Sequence, residues 1–348
     1  MDSISDVFNA EAFSSTSLTD AINNVPFLPG RAGQVAGWQE DGVPTTTIMI
    51  EEKNGVLELI NPSPRGGPGQ TGMPESRTAR SLAIPHYQYD DHIAADSVQN
   101  VRAFGETSEL EVLQDRVNAR LQNLVQQKLD PTLEYQRMGA LKGLILNGDG
   151  STLYNLFDEF GATQEAEVDF DLDNVAPVVG ALRKKCAGVV RTIAKNLGGA
   201  AGSTIVAPIF AECSDSFFDD LISHPEVVAS YKGTSMATVL RDGYVTADGV
   251  IYGAFEFGGI VWENYRGSVG TTPFIDADEC HIFPTGVPGL WRTVYAPADY
   301  EETVNTPGLP RYARQYPTPN GKGRNLEVQM NALNYCTRPK ALIKGKRT

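Results

Sequence analysis

The sequence predicts an α+β fold, and three observations carry that expectation. One long amphipathic stripe begins at Ser108, β-rich runs cluster before and after it without alternating with helices, and short strands and helices mix from Thr204 onward. At 348 residues the chain should divide into more than one lobe, because single cores stop growing near about 250 to 300 residues. Hydrophobic content of 41% and charged content of 21% belong to a folded soluble protein.

Residues 1–40 carry four acids before the first base, Arg31, with Phe8, Phe13, Phe27 and Trp38 scattered without period. Alone, such a segment cannot bury enough apolar surface to offset its ordering entropy. It reads as an N-terminal arm that another lobe or another chain must fix.

The stretch after the arm reads as a β-arm. Thr45–Ile50 and Val56–Ile60 are β-rich runs joined through Asn54-Gly55, a strong hairpin signal. NPSPRGGPGQTGMPES is too dense in Pro and Gly for helix or inner strand, and Ala79–Tyr89 is extended again. A strand pair with so little core of its own should lie on a neighbour. Gly67–Gly72 fits G-x-G-x-x-G, but a dinucleotide site needs that motif to open a helix, and Pro74 and an extended run follow instead.

The spine comes next. Ser108 and Glu111 stand in the relation of a capping box, and Leu110, Leu113, Val117, Leu121 and Leu124 form one apolar stripe while Glu111, Asp115, Arg116 and Arg120 fall largely off it. Up to Asp130 such a helix runs roughly 35 Å. Asp130-Pro131 predicts a kink or fresh start, after which Leu133, Met138, Leu141 and Leu144 extend the stripe, helix ending at Gly143. Asn147–Gly150 then predicts a tight hairpin turn.

Asp169–Asp173 superficially resembles a calcium loop, but the sixth position is Asn174 where Gly is needed and no Glu closes the loop, so a helix start explains the acids better. The second stripe, Val175, Val178, Leu182, Cys186, Val189, Ile193 and Leu197, predicts a helix that Gly198-Gly199 ends. Beyond it, TIVAPIF, FEFGGIVWENY, CHIF, LWRTVY, LEVQM and ALI read as strands, with a helix near Ser214–Ile222 and a turn around Asp248-Gly249.

Composition narrows function. No stretch approaches the ~18 apolar residues of a membrane span, and the first residues lack a basic and an apolar region, so the chain is expected to stay in the cytoplasm that makes it. Cys186, Cys213, Cys280 and Cys336 lie far apart without C-x-x-C, which predicts buried free thiols and neither a zinc site nor a disulfide framework. Net charge is −14, against general polyanion binding by the whole surface. Residues 311–348, however, carry nine Lys or Arg against one Glu, which leaves −22 on the rest; this basic end is either a solvated tail or a contact with an acidic neighbour. His86, His92, His224 and His281 lack any accompanying Ser/His/Asp, H-E-x-x-H or Walker pattern; His224, before Pro225, fits helix capping. An enzyme with a carboxylate site at Asp276, Asp278 and Glu279 is the competing class, without a matched base or metal ligand. No catalytic residue, cofactor or metal ligand is therefore assigned.

LDPTLEYQRMGALKGLILNGDGSTLYNLFDEFG resembles the spine segment of the lambda-type major capsid proteins of tailed bacteriophages, the major capsid protein E family. IPHYQYDDHIAADSVQNVRAFG, CSDSFFDDLISHPEVVASY, DADECHIFPTGVPGLWRTVYAPADYEETVNTPGLPRYARQ and LEVQMNALNYCTRPKALIK are similar to that family in the same order, so the resemblance spans roughly Thr45 to Lys344. It implies the Hong Kong ninety-seven type capsid fold: an N-terminal arm at 1–40, an extended β-loop at 41–90, a peripheral domain at 91–200 and 311–348, and an axial domain at 201–310. It implies a major capsid protein that self-assembles as hexamers and pentamers into an icosahedral virion shell around double-stranded DNA, without sequence-specific DNA binding and without a membrane partner. A separate scaffolding protein and a portal are the implied partners, and a decoration protein is a further candidate; a decoration or tail protein is itself an alternative identity. In that setting Arg65, Arg77 and Arg80 become candidates for contact across a subunit boundary. Some relatives with this fold join a Lys on the β-loop to a neighbour's Asn, but Asn61–Arg80 contains no Lys, which leaves only Lys53 on this arm and predicts non-covalent docking.

Overall fold

The spine runs without a break from Glu109 to Lys142 in the computed structural model, which describes residues 14–24, 30–53, 77–94, 109–198, 207–231, 253–269 and 272–348. Two α-helical lengths, Glu109–Leu124 and Asp130–Lys142, are joined by one π-helical turn, Val125–Leu129. The expected kink or restart at Pro131 is thus replaced by a change of ladder. The N–H of Asp130 reaches back five residues to the Val125 carbonyl, so the ladder shifts just before the proline, whose missing donor then falls in the first turn of the next length. The helix stops at Gly143, where φ is 80°, and the chain returns as the hairpin Leu144–Leu146 with Thr152–Asn155 around the expected Asn147–Gly150 turn.

One face of the spine lies on a five-stranded sheet. Its axis is the 14-residue strand Gly323–Cys336, whose first part pairs antiparallel with His86–Ala94 on one edge and Tyr312–Pro317 on the other. Its last part pairs with Trp291–Tyr295, which in turn pairs parallel with Gln39–Gly42. Val117, Leu121, Leu124, Val125, Leu129 and Leu133 pack there against Ile93, Leu326, Val328 and Met330. The side chains of Leu110 and Leu113, and the Ser108–Glu111 cap, lie outside what is described.

A second, six-stranded sheet has the order Val168–Asp169, Ile343–Lys346, Glu279–Pro284, Ile209–Cys213, Ile260–Asn264, Ala254–Phe257. The last two strands form a hairpin through Gly258-Gly259, both at positive φ. Trp262 is fully buried between Phe170 and Phe217, at ring separations of 5.5 and 5.9 Å. All four cysteines are free and buried.

Two further sequence expectations need correction. The second long helix spans only Ala181–Asn196; Val175 and Val178 are 100% and 75% exposed in the preceding loop, because Pro177 and the left-handed Gly180 keep the helix from starting earlier. Leu182, Cys186, Val189, Ile193 and Leu197 are the buried stripe, and Gly198 ends it as expected. The acids of Asp169–Asp173 therefore do not start a helix; they shape the loop, Asp169 accepting from the Asp171 N–H and Asp171 from the Asn174 amide. In the β-loop, Thr47–Lys53 pairs with Arg77–Ala83, in the register Thr47↔Ala83 to Lys53↔Arg77. The Asn54-Gly55 turn and the Val56–Ile60 run lie outside the described residues, as does the Asp248-Gly249 turn.

Candidate functional site

Arm, spine and six-stranded sheet meet at a cluster of buried charges. Lys344, His281, Glu212 and Glu263 are successive register partners across four neighbouring strands, so this row lies on one face of the sheet. Glu212 and Glu263 are fully buried. Arg31, from the short arm helix Arg31–Val35, reaches Glu263 with both fork nitrogens, Nε to Oε1 at 2.5 Å and Nη2 to Oε2 at 2.7 Å. Neither oxygen of Glu212 meets a hydrogen-bond donor. Burial, reinforced by the adjacent Glu263, pushes the Glu212 carboxyl well above the ordinary 4.5, with Arg31 opposing the shift and Glu134 adding to it.

Glu134, projecting from the spine, completes the join. Its Oε1 accepts from the Ala32 N–H at 2.8 Å and the Tyr265 hydroxyl at 3.0 Å, and its Oε2 from the Gly33 N–H at 3.3 Å. Burial raises its carboxyl and outweighs those three bonds, which act the other way. Gly30 makes the approach possible, since a Cβ there would sit 2.0 Å from Glu134 Cδ. One residue pair further along, Glu40 receives Arg137 at 2.5 Å and the Tyr295 hydroxyl at 3.1 Å, while Trp38 rests 5.3 Å from Trp291. The arrangement fastens three parts of the chain together.

Two long sheets, a spine laid along one of them, and an arm secured by buried charge describe a building block. The sequence model of the family described as phage major capsid protein E matches residues 14–347. The chain belongs to that family. It is 32% identical to the major capsid protein of Pseudomonas phage KPP10, over 96% of this chain and 97% of that one. It is 25% identical to the major capsid protein of Salmonella phage Felix O1, over 94% of each. Among solved structures it is similar to the bacteriophage PhiM1 mature capsid, with a TM-score of 0.48 and 14% identity over 92% of this chain and 87% of that one.

In this capsid protein the predicted contact residues are dispersed. Arg65 lies outside the described residues; Arg77 is placed only by its backbone, opposite Lys53. Arg80 is exposed and donates to the Asp158 carbonyl of its own chain. On the spine, Val117, Leu121 and Leu124 are buried against the five-stranded sheet. The latch residues Arg31, Glu134, Glu212 and Glu263 escaped sequence reasoning, because they lie in four separate segments and only strand register brings the last two side by side. The sole signal was weak: a charged residue inside each of the apolar runs IFAEC and IVWEN.

The competing carboxylates are committed elsewhere. Glu279 pairs with Lys344 at 2.5 Å, and the nearby His281, whose Nε2 lies 3.7 Å away, together with Lys344 brings its carboxyl down to about 2. Asp278 pairs with Arg347 at 3.3 Å and Asp276 sits 4.0 Å from Lys142. His224 accepts from the Glu226 N–H at a helix start, as capping requires. Three of the nine bases of the basic end are paired within the chain: Lys344 meets Glu167 and Glu279, Arg347 meets Asp220 and Asp278, and Arg311 meets Asp130. Among the described residues no group of three His, Cys, Asp or Glu could hold a metal, and no helix is long and apolar enough to cross a membrane.

Proposed function

We propose that this chain assembles, as hexamers and pentamers of itself, into an icosahedral shell enclosing double-stranded DNA, and that it works by packing and docking, without catalysis. Family membership over residues 14–347 is the observation that carries this reading. Assembly in the host cytoplasm, around a separate scaffolding protein and a portal, belongs to the same proposal, with a decoration protein as an optional coat. The division of labour follows the sheets: the arm reaches residue 40, the β-loop spans 41–90, the spine with the five-stranded sheet forms the peripheral part, and the six-stranded sheet forms the axial part. On that division the helix Ala181–Asn196 and strand Ile343–Lys346 go with the axial part, and Trp291–Tyr295 with the peripheral part, in place of sequential boundaries at 200 and 311. The β-loop docks non-covalently, with Arg65, Arg77 and Arg80 as its contact candidates.

Electron microscopy of the purified full-length protein tests the reading. Capsomer rings or closed shells are expected, and denaturing electrophoresis of such particles should show monomer alone. A discrete small oligomer with enzymatic turnover would sink it, and a ladder resistant to detergent and reductant would sink the non-covalent claim.

A further inference from the structure

The bases of this acidic chain gather in two places, and they are partnered differently. Along the C-terminal strands, Arg311, Lys344 and Arg347 each face acids of their own chain. The helix Ala181–Asn196 differs: it holds Arg183, Lys184, Lys185, Arg191 and Lys195 and no acid. Its inward face is the stripe Leu182, Cys186, Val189 and Ile193, all buried. At about 100° per residue, Lys184, Gly188, Arg191 and Lys195 fall on the opposite side within a narrow fan, and the three bases there are exposed. Among the described residues none of these three forms an ion pair. Arg191 only tethers its Nε to the Ala187 carbonyl at 3.0 Å, which leaves its other nitrogens outward. Gly188, in the middle of the stripe, has open space where a Cβ would be.

We propose that this helix face is a contact surface for a phosphodiester backbone, supplied by duplex DNA and read without regard to sequence. The chemistry of the stripe separates DNA from a second copy of the chain as its partner. Protein–protein interfaces are depleted in Lys and centred on aromatic or apolar anchors, whereas this stripe offers Lys, Arg and small residues and no exposed aromatic. Protein–DNA interfaces are polar and strongly positive, and phosphate contacts need no base readout. Lys184 and Lys195 are separated by about 16 Å along the axis, so one stripe spans several phosphates of a strand. A few such contacts per copy, on a chain of net charge −14, hold DNA loosely: binding is local and vanishes as salt rises.

The proposal borrows from the shell reading only the source of the polyanion, and its test does not require shells. Anisotropy of a labelled duplex of arbitrary sequence, about 20 base pairs long, is followed against the full-length protein at 50 to 200 mM salt. Three phosphate contacts predict an affinity loss of about 40-fold across that range, from a log–log slope near −2.7. K184Q/R191Q/K195Q should abolish most of the binding while melting at the wild-type temperature, and K184R/K195R should retain it. Should the triple variant misfold, acetylation of the wild-type protein decides instead, since duplex DNA should protect Lys184 and Lys195 more than exposed lysines elsewhere. Equal binding by a folded triple variant, no binding at 50 mM salt, or no protection would overturn the proposal. So would a triple variant that binds DNA normally but no longer assembles, the outcome expected if the stripe meets a second copy. Failure of the wild-type protein to form shells, with the binding intact, would count against the shell reading alone.

Discussion

Two segments of the same arm are fastened in opposite ways. The helix Ser15–Asn23 buries Leu18 and Ile22 in the core beneath the spine, with Thr19 and the Ala313 backbone exchanging hydrogen bonds at 3.1 and 3.3 Å. The segment around Arg31–Val35 is fastened mainly by charge: Arg31 on Glu263, and Glu134 on two arm N–H groups. Apolar burial is graded, losing stability in proportion to the area and cavity left behind. A buried charge latch is closer to all-or-none, because removing one partner strands the other without water. The first fastening should ignore pH and the second should feel it.

The harshest way to break the comparison is Arg31→Ala, which leaves Glu263 beside Glu212 without its guanidinium. A loss of about 3 to 5 kcal/mol is expected, read as a shift in urea midpoint at unchanged slope. A loss below 1 kcal/mol would mean the carboxylates simply take up protons and the latch is idle. Leu18→Ala should cost about 2 to 4 kcal/mol, with the same value at pH 5 and pH 8. A clear pH dependence of that cost would erase the contrast between the two fastenings.

Glu212→Gln sharpens the comparison further. Because the folded-state carboxyls of Glu212 and Glu134 lie above the ordinary 4.5, the unfolded chain releases these protons first. Their contribution is full below that value and is lost as pH rises from it towards the raised folded values. Glu279, brought down to about 2, acts oppositely: its contribution is present above 4.5 and is lost as pH falls towards 2. Melting temperatures measured from pH 5 to pH 8 should therefore decline less steeply in Glu212→Gln than in the wild type; parallel curves would remove Glu212 from the account. The smallest effect belongs to Arg120→Ala. Arg120 pairs with Asp91 of the sheet strand His86–Ala94 but is 54% exposed, so screening should hold the loss to about 0.5 kcal/mol, disappearing in high salt.

Elements written in local chemistry were legible in advance. The Val117–Leu121–Leu124 stripe, the stop at Gly143, the Asn147–Gly150 turn and the end of the second helix at Gly198 each depend on residues within one or two turns of one another. The π-turn was less so: Pro131 announced a disturbance, but whether the helix breaks or slips its ladder depends on what holds both halves against one sheet. Val175 and Val178 fit the helical period and were still excluded, because Pro177 and Gly180 set the start of the helix.

The candidate site divides along the same line. The sequence by itself determined that the chain has a spine, an arm too sparse in periodic apolar residues to stand alone, a Pro/Gly-rich β-loop and a basic C-terminal end, since period, breakers and composition are properties of neighbouring residues. Only the tertiary structure decided that Arg311, Lys344 and Arg347 of the basic end meet Asp130, Glu167, Glu279, Asp220 and Asp278 of the same chain, and that Arg31 enters a row of carboxylates. Glu212 and Glu263 lie 51 residues apart and become neighbours through a parallel register, Glu263↔Glu212. A charge becomes a latch or a liability according to the dielectric and the partners around it, and those are set by which strands lie side by side.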